Sequence, residues 1–557
     1  MSGSQARESG RCSRDAAAEG TSSLNESASK CLRHTEIPSS TPLFLDLLYH
    51  YDRVSGFYPH PPSVSAMQEA AREIKFDAGH RETLVAALRR QNEGAATEAH
   101  LDLLAQPDTV VVATGQQVGL YGGPVFTLYK ALTALKLAAT LREKGTPAVA
   151  VFWLATEDHD LDEVSHTWIY NPSHQPIKLD AVTEPAPGRP VGGVAATDPR
   201  PALLRDALSP FRAGEQAHQL ARSAYRQGGT FQAGFYGLYR QLLESYGLIF
   251  LDPMDRDLRR LAAPIFQKAI AEAPSLSEEL LRRNAELEQA GYHAQVYLSD
   301  ETSLVFLLED DRRTVLRRQG DVYSNENGRH TTRELLDRMA QAPHDFSPNA
   351  LLRPVTQDWL LPTAVYVGGP AELAYLAQAQ VLYKRLLGRM PVVVPRASFT
   401  VVDARSRKLL RRYQLAVTDG FEGAEALRNK IAQRLIPPAL ETGLLDAETQ
   451  IDTALGKAES DLEKFDPTLQ AALRKSTAKI RYQFHKIRGK VAQESLRRDQ
   501  RGAEEAAYLS HSIFPENSPQ ERLYSVLPFL AEHGFEFVDR IYGAIQPECH
   551  DHQILTI

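Results

Sequence analysis

Cysteine is nearly absent from this chain. The three present in 557 residues, Cys12, Cys31 and Cys549, lie toward the two ends, an odd number without metal-ligand spacing. No disulfide or metal staple is therefore needed to organise the fold, and free thiols in a reducing compartment are expected. Long apolar runs are missing too. Nothing approaches the ~18 consecutive residues of a membrane span. The opening MSGSQARESGRCSRDAAAEG has no apolar stretch of the kind a secretory signal carries. The expectation is a cytoplasmic protein without a membrane partner. A basic excess is also lacking: net charge is −7 and pI about 6.2. That argues against a general nucleic-acid binder and leaves room only for a local basic pocket. What is plentiful is ordinary: 43% hydrophobic and 24% charged residues suffice for a sizeable core. At roughly 100–200 residues per domain, two to four structural units are expected.

Residues 1–35 are rich in Ser, Gly, Ala and charge and read as a disordered extension. A helical stretch over 63–105 leads to Thr109-Val110-Val111-Val112-Ala113-Thr114, a continuous apolar run of the kind that forms buried parallel strands. Gly122-Gly123-Pro124 then opens a helix. Ala148 to Ala155 is a second apolar strand, ending in Glu157-Asp158-His159-Asp160. Strand, helix and strand with short joins make a right-handed parallel unit. Together with later strands at 247–253, 362–367 and 391–395, they predict an α/β fold with a parallel-sheet core. That core is expected in pieces, 36–166, 246–289 and 351–420, separated by insertions at 167–245 and 290–350. The first insertion carries a hairpin around Asn171-Pro172-Ser173. The second carries alternating runs such as Gln295 to Leu298 and Leu304 to Leu308. Residues 421–510 read as a charged helical arm. Its Leu444, Ile451, Leu455, Leu462, Leu469 and Leu473 recur at helical steps, and Pro467 divides it into an antiparallel pair suited to dimerisation. Residues 511–557 are expected to pack back on the core.

In open parallel sheets, ligands bind at the carboxyl ends of the strands. Four segments fall there. Thr114, Gly115, Gln116, Gln117, Gly119, Gly122, Gly123 and Pro124 form a Gly-rich approach to a helix start, a place for phosphate or carboxylate charge. The segment is neither a phosphate-binding P-loop nor a GxGxxG fingerprint. Lys130, two turns into that helix, could reach back. Glu157, Asp158, His159 and Asp160 offer a general base, His159, oriented by Asp158 or Asp160. Asp160 with Glu163 also spells a helix cap. No metal-ligating set is predicted. Gly368, Gly369 and Glu372 repeat the Gly-Gly-Pro pattern. Arg396 and Ser398 follow the last core strand, where the arginine could grip a carboxylate.

The segments TGQQVGLYGGPVFTLYKALTALKLA (114–138), VFWLATEDHDLDEVSH (151–166), YVGGPAELAYLAQ (366–378), PRASFT (395–400) and FPENSPQER (514–522) resemble, in order, the motifs of the bacillithiol-biosynthesis cysteine-adding enzymes, the BshC family. The resemblance implies a Rossmann-like core related to class I nucleotidyltransferases, two connecting-peptide insertions and a C-terminal coiled-coil arm that pairs two copies. It implies a ligase that joins the carboxylate of cysteine to the amine of glucosaminyl malate. ATP with Mg²⁺ is the expected source of activation, through an adenylate or an acyl phosphate. It also implies that Thr114 to Pro124, Glu157 to Asp160 and Gly368 to Glu372 wall the active site. The same loops would equally serve a nucleotidyltransferase acting on another small molecule. A coiled-coil assembly protein with an inactive nucleotide fold would instead show a filled, apolar crevice.

Overall fold

The computed structural model describes residues 30–181, 186–197 and 201–557. Within them two compact units separate: one drawn from the described residues of 30–172, 176–400 and 521–555, the other from 173–175, 401–520 and 556–557.

The first unit is built on five parallel strands. These are β1 (Val110–Gln116), β2 (Ala148–Leu154), β3 (Ile249–Leu251), β4 (Thr363–Gly368) and β5 (Val392–Pro395), ordered β5-β4-β1-β2-β3. Every residue of β2, β3, β4 and β5 is buried, as is β1 up to Gly115. Layers of helix cover both faces, which is why these strands read as unbroken apolar runs and not as alternations. Register is fixed from Val110 opposite Ala148 to Gln116 opposite Leu154, and Val365 lies opposite Val392. The helix α1 (Phe126–Glu143) follows β1, and α2 (Pro370–Leu382) follows β4. Twelve of the eighteen residues of α1 are buried.

The two insertions interrupt the core. After β2, His166–Tyr170 and Pro176–Asp180 form the expected hairpin, followed by helices Pro201–Leu208, Gly214–Ala224 and Phe231–Leu243. After β3, two helices lead to an antiparallel five-stranded sheet containing Thr302–Glu309, Arg312–Gln319 and Phe346–Pro348. The alternating Gln295 to Leu298 is not a strand. No neighbouring strand takes up its backbone, and Tyr297 is 89% exposed.

At the start of the described chain a second expectation is corrected. Lys30–Leu32, assigned from composition to the extension, is a strand paired antiparallel with His552–Thr556, with Leu32 opposite His552. A partner strand, more than local composition, decides order here. The rest of the expected extension, residues 1–29, lies outside the described residues. Cys31 is a free thiol, whereas Cys549 is disulfide-bonded, so the free-thiol expectation does not hold for Cys549.

The second unit is helical. Its α3 (Pro438–Phe465) and α4 (Pro467–Arg498) form a long hairpin broken at Asp466-Pro467. Ion pairs Arg474–Glu459, Arg481–Asp452 and Arg488–Glu441 run in opposite sequence directions along it, the mark of an antiparallel pair. Asp466 caps α4 by accepting from Thr468 N at 2.7 Å. No residue of α3 is buried. Leu440, Leu445, Phe465, Leu469, Tyr482 and Ile487 are large apolar side chains left exposed on the hairpin.

Candidate active site at the strand-order switch

The chain lays down β1, β2 and β3 in one direction, then returns to place β4 and β5 on the other side of β1. Strand order therefore reverses between β1 and β4, and a crevice opens there at the carboxyl ends. A cavity of about 770 Å³ occupies it, within the size range of small-molecule sites. The two Gly-Gly-Pro joins flank the switch. Beside β1 the join is strained. Tyr121, Gly122 and Gly123 have φ of 50°, 86° and 65°, and Tyr225 and Tyr239 hold Gly119 and Gly122 by their carbonyls at 2.8 and 2.9 Å. Helix α1 begins at Phe126, two residues later than the expected start at Pro124.

Over β4 and β5 the wall is rich in cations. Lys130 is 2% exposed. Its Nζ donates to Gly115 O at 3.0 Å and Gln116 Oε1 at 2.7 Å and pairs with Glu372. Burial lowers the lysine from its ordinary value against the pull of Glu372. Glu372, in the first turn of α2, is raised by burial but carried below the usual carboxylate range by Lys130, by Gly369 N–H at 2.8 Å and by the Tyr366 hydroxyl at 2.7 Å. The ion pair thus ties the β1 join to the β4 join across the switch. Arg353 donates to Tyr366 and Tyr375 at 3.2 and 2.8 Å. Arg396 lies over the Phe126 ring, 5.1 Å from its centroid, and donates to Glu521 Oε1 at 2.7 Å. Behind it, Glu521 also accepts from Ser398 Oγ and Phe399 N, each at 2.9 Å. Burial raises Glu521, and Arg396 overrides this to bring it to about 2. Arg522 lines the cavity with no salt-bridge partner among the described residues.

Over β2 the wall is acidic. Glu157, Asp158 and Glu163 line it beside His159 and Trp153. Asp158 accepts from Gln117 Nε2 at 2.8 Å and from His159 N at 2.7 Å. Glu163 is open to the cavity. Partial enclosure nevertheless raises its carboxyl above the ordinary value, helped by Asp158 and Asp160 and opposed by Gln117 and Lys130. Glu157 is fully buried against Arg259.

The structure brings Gly115, Gln116, Gln117, Gly119, Gly123, Pro124, Lys130, Glu157, Asp158, His159, Gly369, Glu372 and Arg396 to one cavity. Thr114, Gly122, Gly368 and Ser398 stand behind the wall, and Asp160 is exposed and does not line it. Thr114 donates to Val367 O at 2.8 Å, joining β1 to β4. Ser398 supports Glu521. Asp160 caps the short helix Leu161–Val164 by accepting from Glu163 N at 3.1 Å.

The expected orientation of His159 by a carboxylate is not what the structure holds. Its Nδ1 accepts from Arg313 Nη1 at 3.2 Å, while Asp158 Oδ1 is 3.7 Å away. With Nδ1 accepting, the neutral ring carries its hydrogen on Nε2 and is a donor there. Burial and Arg313 lower its pKa, outweighing Asp158 and Asp160, so the neutral form persists.

Arg313, Arg353, Arg522, Trp153 and Glu163 were missed by the sequence reading as binding residues. Arg313 sits on a strand of the second insertion and is brought in by Ser347 Oγ and Pro348 O at 3.0 and 2.6 Å. Nothing local to its sequence signals this. Glu521 and Arg522 do lie inside a recognised segment, 514–522.

Family models match all but one of the described residues: "Bacillithiol biosynthesis BshC, N-terminal Rossmann-like domain" over residues 30–397 and "Bacillithiol biosynthesis BshC, C-terminal coiled-coil domain" over 399–557. Among curated relatives, each named "Putative cysteine ligase BshC", one from Solibacter usitatus is 47% identical over 95% of this chain and 99% of its own. One from Koribacter versatilis is 36% identical over the same shares. One from Salinibacter ruber is 31% identical over 92% of this chain and 96% of its own.

Proposed function

This chain belongs to the BshC family of bacillithiol biosynthesis, and on that premise we propose that it is a ligase joining the carboxylate of cysteine to the amine of glucosaminyl malate as an amide. The observation that carries the reading is the cavity at the strand-order switch, with cations over β4 and β5 and acids over β2. A filled apolar crevice, as an inactive assembly fold would have, is not what these residues build.

Amide formation from a free carboxylate is uphill in water, so the carboxylate needs activation. ATP with Mg²⁺, when bound, supplies it by giving the carboxylate a good leaving group. The residues fit such a group. Arg353 and Arg522 offer guanidinium donors, the glycines of 115–123 allow close backbone approach, and Phe126 and Tyr375 provide apolar faces beside them. The same arginines suit the carboxylates of the malate portion. His159 offers Nε2–H to developing negative charge at the reacting carbonyl. Glu163, its carboxyl raised above the ordinary value, takes the proton from the attacking amine. The ordered wall of β2 keeps these groups in place while substrates occupy the cavity.

The arm is proposed to pair two copies through its exposed Leu445, Leu469 and Ile487, since large apolar side chains left open along a long hairpin are the usual material of such a contact.

The test is mass-spectrometric. Purified protein is incubated with cysteine, glucosaminyl malate and ATP–Mg²⁺, with ATP omitted from a parallel tube. An amide product that depends on ATP is expected. Absence of product in both tubes overturns the reading.

A further inference from the structure

His159 sits between charges of opposite sign, and its ring is held by the positive one. Asp158, its neighbour in sequence, is spent on the loop. Its Oδ1 accepts from His159 N at 2.7 Å and from Asp160 N at 3.4 Å, and its Oδ2 from Gln117 Nε2 at 2.8 Å. The ring nitrogen Nδ1 meets Arg313 Nη1 at 3.2 Å. Arg313 is fixed in turn. Its side chain is 8% exposed, with Nε donating to Ser347 Oγ at 3.0 Å and Nη2 to Pro348 O at 2.6 Å. Its Cζ lies 4.0 Å from the centroid of the Phe306 ring, and that ring packs edge to face against His159, centroids 5.9 Å apart. Phe306 and Ser347 are opposite one another in the sheet of the second insertion. From the first insertion, Gly188 O accepts from Arg313 N and Val191 N donates to Asp158 O, each at 2.7 Å. Both insertions therefore close on one histidine of the core.

The sign of the partner decides what the histidine can do. A carboxylate at Nδ1 would hold a hydrogen there and leave Nε2 as an acceptor, the arrangement of a general base. A guanidinium offers donors only and does not give up its proton. Nδ1 must then accept, and the single hydrogen of the neutral ring goes to Nε2. That nitrogen has no hydrogen-bond partner among the described residues, and His159 lines the cavity.

We infer that Arg313 is a positioning residue that fixes His159 as a hydrogen-bond donor at Nε2, so that the second insertion sets the chemical role of a residue on the core. In the reaction proposed above, on which the catalytic part of this inference rests, Nε2–H serves the oxygen of the activated cysteine carbonyl as negative charge develops there. The proton of the attacking amine then goes to another group, Glu163. Exchanging the guanidinium for a neutral side chain frees the ring to take either tautomer, and the donor is then present only part of the time.

Nitrogen-15 NMR of the full chain labelled at histidine reads the tautomer without any turnover. The signals lost in His159→Gln identify the ring, and at neutral pH they are expected to show Nε2 protonated and Nδ1 bare. The opposite tautomer overturns the inference and leaves the ligase reading standing. The amide-forming assay tests the consequence. Gln places an amide donor near the position of Nε2 and cannot act as a base. His159→Gln is therefore expected to keep kcat within about tenfold of wild type, whereas His159→Ala loses about 100-fold or more. Arg313→Met is expected to lower kcat about tenfold or more with KM for both substrates nearly unchanged, Arg313→Lys to recover part of the loss, and Arg313→Met to cost no more than about twofold in the His159→Ala background. A His159→Gln as slow as His159→Ala overturns the inference, as does an Arg313→Met loss that is undiminished without His159. Wild-type protein that forms no amide overturns the ligase reading, and the tautomer then stands or falls on the NMR alone. Should Arg313→Met fail to fold, as circular dichroism would show, the NMR and the two His159 variants decide.

Discussion

Replacing Lys130 by Met keeps the length of the side chain and removes its charge, leaving Glu372 partly buried without its ion-pair partner. Breaking one side of such a pair is expected to destabilise the protein by about 3 kcal/mol. Adding Glu372→Gln should restore most of that in urea unfolding. A double variant no better than the single would show that the pair does not join the two joins. For catalysis the pH profile is diagnostic. Because Glu163 is raised above the ordinary glutamate value, the acidic limb of kcat is expected above about pH 4.3, and Glu163→Gln should abolish the limb together with most of the turnover. A limb unchanged in that variant assigns the proton transfer elsewhere. Stability has its own pH dependence. His552 is buried between Ser398 and Thr400, at 2.6 and 2.9 Å, and faces Glu521, Arg396 and His34. Burial lowers it to about 4 against the pull of Glu521, and His34 to about 3. Both stay neutral when folded and take up protons near pH 6.5 when unfolded. Their contribution is complete above that pH and is lost as pH falls toward 4. At pH 5 the loss is about 2 kcal/mol for His552. Urea midpoints at pH 7.5 and 5.0 should show the fall, and His552→Gln should reduce it, leaving the share that His34 contributes.

Among the elements, the core strands were legible in the sequence because burial on both faces demands unbroken apolar runs, as in Val149-Ala150-Val151-Phe152. The hairpin of the arm was legible because Pro467 cannot continue a helix. Gln295 to Leu298 misled because alternation describes a strand's faces and not whether a neighbour exists. Lys30–Leu32 misled for the converse reason, since its partner lies more than 500 residues away and leaves no trace nearby. The site divides in the same way. Gly115, Lys130 and Glu372 are local to strand–helix joins and could be found. Arg313 and Arg353 arrive from the second insertion and the helix Leu352–Leu360, by tertiary packing alone. Gly115 carries a prediction at this scale. A Cβ there would meet Trp153 O at 2.9 Å in the paired strand. Gly115→Ala should push the ends of β1 and β2 apart and lower kcat/KM by about 10- to 100-fold, with a change in Trp153 emission. Unaltered kinetics would show that these strand ends tolerate displacement.

At the scale of the molecule, light scattering can weigh the proposed pairing of two copies. Changing Leu445, Leu469 and Ile487 together to Ser is expected to give a monomer with unchanged helical content, because none of the three is buried. A variant that stays dimeric places the contact on another surface. The sequence distances within the site have a further meaning during synthesis. Arg396 and the carboxylate that holds it, Glu521, are 125 residues apart. At 5–20 residues per second, a ribosome needs about 6–25 s to pass from one to the other. Over that interval the nascent core has every parallel strand it requires, yet Arg396 has no Glu521 and the cavity lacks Arg522. A polypeptide released before residue 521 carries all five parallel strands but not the side chains that close the crevice, so the crevice is completed only late in synthesis.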